Sequence, residues 1–526
     1  MTLDGPHDMR IWLWIIVVAF VALACRLVGI ERATLWVDEV MTAQTIALPF
    51  GDLIQERLSQ SHSPAFFLLL KALGVSYDSI LVLRLPSALF GTLAAIAGIF
   101  AGRALTGSWV VGWFAGLILA ITPVLVDYGQ EARPYSALSL GVVAALWGAA
   151  LIVRYPRLAC VALRRSQRST VRRRQVRALR SAWLLLVGGS VWSVYMLPLG
   201  LFLWPALDLV VVYLAMLPQS RWRRLVRPWV AHRAVCIAFC VPLALALVPE
   251  IQARAGNYWV KVPGWQRIWQ ALGNSLLFQF DGDPDTFVGG WVNWFLVALL
   301  LLAAVAGVLK LRKRADALAI VIASAFVPIA VIVLISLHTP IWVSRYFQIS
   351  TPAFSLLLAS GLAAAWAHGK GRVIVFLIAG LAILQLADLQ GGTRRADWRP
   401  LLAAVEHAPE NVVLVVASLH SFQEMDYEWR RQGAKRTLEF AGISRNGEPT
   451  RLSWKHVDIH ALGKTHSDVT YWLINPSGKM RSSVETNFWP DRTPCWFGDR
   501  RVRALIYRPP HGNLGVRERQ VGNCKT

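Results

Sequence analysis

The sequence predicts an α-helical polytopic membrane protein with about eleven transmembrane helices, outer juxtamembrane helices and a small C-terminal α/β domain outside the bilayer. Three observations predict it. Apolar runs close to the ~20 residues that cross a bilayer recur from Ile11 to Leu389. Basic residues gather in the short connectors between those runs. After Gln390 no apolar run is long enough to cross again. Composition agrees: 526 residues that are 55% hydrophobic, only 16% charged and carry 24 tryptophans exceed what one soluble core needs.

The first run, Ile11 to Ile30, is read as an uncleaved span. Its positive flank is thin (Arg10), and Ala22-Leu23-Ala24-Cys25 only loosely matches a lipoprotein cleavage site. An amphipathic helix is expected around Met41 to Leu58. The apolar stretch Ser63 to Val75 has about half the length a crossing needs, so it is placed at or dipping into the outer interface. Counting it as a span would invert every later loop and move the arginines outside. Further spans are expected near 83–102, 109–126, 136–154, 181–196, 198–217, 234–249, 291–309, 317–337, 349–367 and 373–389. The pair at 181–217 shares one apolar run broken only near Pro198.

The connectors set the orientation. From Arg154 to Arg180 there are ten arginines and no acid. Arg221, Arg223, Arg224 and Arg227 follow, then Lys310, Arg312, Lys313 and Arg314, then Lys370 and Arg372. Positive loops stay in the cytoplasm, so the N-terminus is expected inside and the C-terminus outside. The net charge of +23 is therefore topogenic. It does not mark a nucleic-acid protein, because phosphate binding does not require basic loops to alternate with apolar spans.

Two domains are expected: residues 1–390 in the membrane, with an outer loop at 31–82, and a soluble α/β domain at 391–526. Gly391-Gly392 and Thr393-Arg394-Arg395 close the last span. Beyond them the pattern predicts helices near Trp398–His407 and Phe422–Gln432 and strands near Val412–Ala417, Val469–Ile474 and Val502–Tyr507. Cys236 and Cys240 face a span and Cys160 lies in an inner loop, which leaves Cys495 and Cys524 in the oxidising compartment where a bridge is chemically allowed.

The outer loops hold the unexplained polar residues. The first carries adjacent carboxylates, Asp38 and Glu39, at the mouth of a span, then His62, with Arg84 and Pro86 where the next span begins. The second is Asp127 to Tyr135, and the last are 250–290, with Arg254, Tyr258 and Lys261, and the turn Trp342 to Tyr346. Charges at a membrane face are costly and usually functional. Carboxylates and cations together suit a polar, anionic, lipid-borne substrate. Asp281, Asp283 and Asp285 superficially suggest a calcium loop, but position 12 holds no glutamate, so they are read as a solvated turn.

Leu35-Trp36-Val37-Asp38-Glu39, Ser61-His62-Ser63-Pro64-Ala65-Phe66-Phe67, Leu83-Arg84-Leu85-Pro86-Ser87 and Tyr128-Gly129-Gln130-Glu131-Ala132-Arg133-Pro134-Tyr135 appear in that order over about 100 residues. Together they resemble the protein mannosyltransferase and aminoarabinose transferase superfamily, membrane-embedded C-type glycosyltransferases that use polyprenyl-phosphate sugars. Arg345-Tyr346-Phe347 followed by Pro352, and Asp397-Trp398-Arg399, resemble later family segments. Two residues depart from the pattern: Ser63 stands where the family usually has the first proline of its histidine motif, and Ala65 replaces leucine.

The resemblance implies that Asp38 is the catalytic carboxylate and that Glu39 orients the acceptor or helps bind a divalent cation; some relatives use a metal and others do not. Arg133, Arg345 and Lys261 are candidates to compensate the carrier phosphate, with Arg84 buttressing the first loop. His62, Gln130, Glu131, Tyr135 and Tyr346 complete the substrate-binding set, Tyr128 and Tyr135 being equally readable as interfacial belt aromatics. Asp38 is also readable as a helix cap. The expected partners are a polyprenyl-phosphate-linked sugar, a glycan, lipid A or protein acceptor, and membrane lipid, at a bacterial inner membrane. A transporter or flippase of lipid-linked glycans is the alternative. It would normally show internal repeats or mid-bilayer charges, which this sequence lacks in convincing form. Sugar, acceptor, metal dependence, stereochemistry and oligomeric state are not written in the sequence.

Overall fold

The computed structural model describes residues 6–156, 159–160, 170–253, 264–276, 291–339, 341, 343–391, 396–408, 411–416, 419–433, 439–442, 469–474, 490–497, 502–507, 520–521 and 524–525. The chain divides into two compact units. The first comprises residues 1–28, 45–76 and 82–390; the second comprises 29–44, 77–81 and 391–526.

The first unit is helical. Helix α1 (Pro6–Leu27) is followed by α2 (Val37–Ala47), whose first turns belong to the second unit, and by α3 (Phe50–Ser59) and α4 (Ala65–Ala72). The single amphipathic helix expected at 41–58 is thus two, because Pro49, without an N–H, ends α2 and serves as N-cap of α3. Then come α5 (Ile80–Thr106), α6 (Trp109–Ile121), α7 (Pro123–Asp127), α8 (Tyr135–Arg154), α9 (Thr170–Met196) and α10 (Leu203–Met216). They are followed by α11 (Val226–Ala253), α12 (Trp265–Leu276), α13 (Trp291–Leu311), α14 (Ala315–Ser336), α15 (Thr351–Trp366) and α16 (Gly369–Gly391). Among the described residues, eight helices are long and apolar enough to cross a membrane, or nine if one bent pair is counted as a span. Shorter apolar α1 is additional.

The bent pair corrects the straight helix expected at 109–126. The segments 109–121 and 123–130 meet at 60°. Thr122 precedes a proline and takes ψ of 119°, the extended geometry that a following pyrrolidine ring imposes. Pro123 also leaves the carbonyl of Leu119 without its usual N–H donor. Buried Arg26 of α1 supplies the missing donors, reaching Leu119 O at 3.1 Å, Ala120 O at 3.0 Å and its own Ala22 O at 2.9 Å.

Small residues set the closest helix approaches. A Cβ on Gly112 of α6 would stand 2.4 Å from Ile99 O of α5, and one on Gly361 of α15 would stand 1.8 Å from Ala303 O of α13. Backbones meet at these points, as small residues permit inside a bilayer. An ion pair links two apolar helices: Arg233 reaches Asp208 at 2.7 Å, and Trp229 Nε1 donates to the same carboxylate at 2.7 Å. A partly buried charge among apolar helices gains from such partners.

The second unit contains α17 (Arg399–Glu406), α18 (Leu419–Arg431) and a five-stranded sheet of order β2-β1-β3-β5-β4. Its strands are β1 (Asn411–Val416), β2 (Glu439–Gly442), β3 (Val469–Ile474), β4 (Pro490–Phe497) and β5 (Val502–Tyr507). The central strand β1 is parallel to β2 and β3, whereas β5 is antiparallel to β3 and β4. Val412, Leu414 and Val416 are buried at alternate positions and join Trp398, Leu401, Leu402, Met425, Trp429 and Trp472 in one core. Short β6 (Gln520–Val521) pairs with β7 (Cys524–Lys525). Strands β1, β3 and β5 lie where the sequence predicts strands; β2 and β4 were not anticipated, since neither carries an apolar alternation.

Candidate active site

The acidic dyad opens a helix. Asp38 and Glu39 occupy the first turn of α2, where exposed N–H groups favour negative charge. Asp38 is not the N-cap, because the helix already begins at Val37 and Trp36 O accepts from Glu39 N at 2.8 Å and Val40 N at 2.9 Å. Asp38 is half-buried, Glu39 is fully buried, and Thr42 Oγ1 donates to Asp38 O at 2.9 Å.

A residue the sequence reading missed holds this turn. Glu424 of α18 accepts from Val37 N at 2.9 Å through one oxygen and from Trp398 Nε1 at 2.9 Å through the other. The Asp397-Trp398-Arg399 motif therefore acts as a clasp. Arg399 pairs with Asp397 at 2.7 and 3.0 Å and donates to Arg32 O at 2.5 Å, while Thr34 Oγ1 donates to Ala396 O at 3.0 Å. The Asp397 carboxylate, hydrogen-bonded to the guanidinium, raises the Arg399 pKa above its ordinary value. Residues 77–81 join the same helix: Tyr427 Oη donates to Tyr77 O at 2.7 Å and Arg431 to Asp78 O at 3.5 Å.

Tyr128, Tyr135 and Arg345 lie together in the first unit. The turn 128–135 follows the bend at Thr122. Gln130 Nε2 donates to Val28 O at 2.7 Å and Cys25 O at 3.3 Å, closing the C-terminal carbonyls of α1. Ser87 Oγ donates to Arg133 O at 3.2 Å, so two of the sequence motifs touch. Tyr128 and Tyr135 stand 4.6 Å apart between ring centres, and the Arg345 guanidinium lies 5.9 Å above the Tyr135 ring. Tyr128 is also within electrostatic reach of Glu131, Asp127 and Arg345. Glu131, Arg133 and Tyr135 are buried, as is Arg84 on α5.

Arg345 and half-buried Tyr346 sit on the 3-10 turn Ser344–Ser350. Gln348 Nε2 donates to Ser139 Oγ at 3.2 Å, which fixes that turn one helical turn beyond Tyr135. His62 is exposed, with Nδ1 2.6 Å from Gln60 O, and its loop is anchored where Ser63 Oγ donates to Tyr195 O at 2.5 Å. The serine that departs from the family pattern thus makes a contact that proline has no group to make. The structure brings Glu131, Tyr135 and Arg345 around Tyr128 and sets His62 in a separate loop.

Lys261, Arg254, Tyr258 and the three aspartates at 281, 283 and 285 lie outside the described residues, as do the side chains of Cys495 and Cys524. Among the described residues no three His, Cys, Asp or Glu side chains gather as a metal site.

Arg26 is the other site-supporting residue the sequence reading passed over. Its signal was present: a lone cation inside an apolar run is expensive unless it is used.

This is a multi-span helical protein with the fold of the membrane-embedded C-type glycosyltransferases. No protein-family model and no curated protein sequence matches the chain. Among solved structures it is similar to ArnT from Cupriavidus metallidurans in the apo state, at 15% identity and a TM-score of 0.53, covering 94% of this chain and 97% of that one. It is also similar to the oligosaccharyltransferase of Archaeoglobus fulgidus tethered with an acceptor peptide containing the NVT sequon, at 13% identity and a TM-score of 0.51. That match covers 80% of this chain and 63% of the archaeal one.

Proposed function

We propose that the chain is a glycosyltransferase that moves a sugar from a polyprenyl-phosphate carrier onto an acceptor outside the cytoplasm, with Asp38 as the catalytic carboxylate. The observation that carries this reading is the rigid presentation of the Asp38–Glu39 pair on the first turn of α2, clamped by Glu424 and the Asp397-Trp398-Arg399 segment. It occurs in a chain that shares its fold with ArnT.

In the proposed step the acceptor hydroxyl attacks the anomeric carbon. A new oxygen–carbon bond forms, the bond from that carbon to the carrier phosphate breaks, and the hydroxyl proton passes to the Asp38 carboxylate. The departing phosphate keeps the bonding pair and gains negative charge. Arg133, Arg345 and Lys261 are the proposed sources of compensation, a task for which guanidinium forks are well shaped, with Arg84 buttressing the first loop. Glu39 orients the acceptor, and Gln130, Glu131, Tyr135, Tyr346 and His62 complete the substrate-binding set. Direct displacement inverts the anomeric centre. Helping to bind a divalent cation is the alternative role for Glu39, and no step above needs one.

In the proposed topology eleven spans place the N-terminus in the cytoplasm of a bacterial inner membrane and residues 391–526, as an α/β domain, in the periplasm. Lipid A, a polysaccharide or a protein is the acceptor.

The test is incubation of the purified protein with a panel of radiolabelled polyprenyl-phosphate sugars and cell-envelope acceptors. One donor is expected to turn over, and Asp38→Asn is expected to abolish transfer while carrier binding persists. Absence of turnover with every donor in a folded preparation, or full activity in Asp38→Asn, overturns the reading. Lipid translocation surviving in Asp38→Asn identifies a flippase instead.

A further inference from the structure

A cavity of about 480 Å³ opens at the end of α8 opposite Tyr135, lined by Arg154, Arg221, Trp222, Lys313, Arg314 and Asp316 among others. Four cations face one carboxylate there. That carboxylate is already engaged, because Asp316 is buried and lies 3.0 Å from Arg314. We propose that this cavity binds the phosphate headgroup of an anionic phospholipid, independently of the transfer reaction.

Arg154 and Arg221 are held by neutral groups that leave their charge in place. Arg154 donates to Ala104 O at 3.1 Å and Arg103 O at 3.4 Å, and its guanidinium lies 5.4 Å from the Tyr155 ring. Arg221 stacks 4.6 Å over Trp222, whose Nε1 donates to Val153 O at 2.8 Å. Carbonyls and rings orient a guanidinium without cancelling it. A cluster of preset, like-signed groups around a concave space gains most from a multivalent oxyanion that accepts several charge-assisted hydrogen bonds.

The depth of the cavity selects the source of that oxyanion. Tyr135 to Arg154 spans α8, and at the α-helical rise it is roughly 28 Å long, close to the thickness of a bilayer's hydrocarbon core. The cavity therefore lies at the level of the lipid phosphates on the face opposite the 128–135 turn. Tyr155 and Trp222 sit at that depth too, as interfacial aromatics do. Basic pockets between spans on the cytoplasmic side are recognised lipid-headgroup sites.

The experiment uses the full chain in neutral detergent, with dioleoyl-phosphatidylglycerol, cardiolipin, dioleoyl-phosphatidylcholine and inorganic phosphate as separate probes. The readouts are the unfolding midpoint and lipid adducts in native mass spectrometry. Phosphatidylglycerol and cardiolipin are expected to raise the midpoint saturably, whereas phosphatidylcholine and free phosphate at equal concentration are not. Replacing both exposed cations, Arg221→Ala with Lys313→Ala, is expected to raise the half-saturating concentration of anionic lipid roughly 30-fold, the loss of two near-surface cations, with an unchanged midpoint in phosphatidylcholine. If the double variant melts early, Lys313→Ala alone is expected to shift that concentration roughly fivefold. An equal response to phosphatidylcholine, a response reproduced by free phosphate, or undiminished lipid binding in these variants overturns the proposal.

Discussion

The backbone N–H of Val37 donates to Glu424 Oε1 over 2.9 Å, so the helix that begins with the acidic dyad is capped by a carboxylate from far along the chain. The same carboxylate is braced by Trp398 Nε1. Removing it leaves two donors unserved at once, a cost of about 1–3 kcal/mol for a buried group. Glu424→Ala is expected to accelerate amide hydrogen exchange at residues 37–42 and to lower transfer at least tenfold, with exchange in α13 to α15 unchanged. Unaltered exchange at 37–42 defeats the argument.

Arg26 serves carbonyls that the break at Thr122–Pro123 leaves open, and it is accommodated by glycines. A Cβ on Gly91 would stand 2.3 Å from Arg26 Nε, and one on Gly129 would stand 2.8 Å from its side chain. Gly91→Ala should therefore dislodge the guanidinium and cost about 1–3 kcal/mol by overpacking. The check is the unfolding midpoint in detergent, with Gly188→Ala as control because nothing lies within 4 Å of its would-be Cβ. Equal midpoints for the two variants contradict the packing account.

The contact of α13 with α15 gives a sharper contrast. At Gly361 the added methyl meets a backbone carbonyl at 1.8 Å, an obstacle that no rotamer relieves. Gly361→Ala is expected to cost about 3 kcal/mol or more. Gly380→Ala on exposed α16, where the added atom meets nothing within 4 Å, should stabilise by about 0.5–1 kcal/mol through helix propensity. Comparison of the two thermal midpoints with wild type decides it.

Alkaline pH should loosen the second unit at Tyr427. Burial pushes its phenol up to about 12, helped by the Asp78 carboxylate and opposed by Arg431. Folding favours the neutral form, so the unfolded chain loses its proton first as pH rises. The stabilisation is complete below the ordinary value near 10 and disappears between there and about 12. Tyr427→Phe is expected to flatten the stability of the wild-type protein over that window, read by unfolding at fixed pH values. An identical pH profile in the variant rejects the assignment.

Part of this architecture was legible residue by residue. Apolar runs of bilayer length, basic connectors and alternating strand positions are local properties, and α5, α8, α14, α15, β1, β3 and β5 lie close to where those patterns put them. The break near Pro198 was visible for the same reason: a proline removes a donor wherever it stands. The bend at Thr122 was missed although Pro123 was in view, because composition alone does not say whether a proline near a span end caps the helix or turns it. Among the motifs, Ser87 and Arg133 do touch, and Arg345 does meet Tyr135.

The sequence by itself determined that the chain fills a bilayer with helices, since its apolar runs have the ~20-residue length of a helical crossing and a helix satisfies its own polar backbone groups where there is no water. It also singled out the carboxylates and cations of residues 31–84, 127–135 and 342–346 as the expected site. Only the tertiary structure decided what holds them: that Glu424 caps the dyad's helix, that Arg399 clasps Arg32, and that Arg26 completes α6. A hydrogen bond between residues far apart in the chain leaves no periodicity in it. Its partners are chosen by which unsatisfied groups packing brings within 3 Å, and that becomes defined only when the helices have closed on one another.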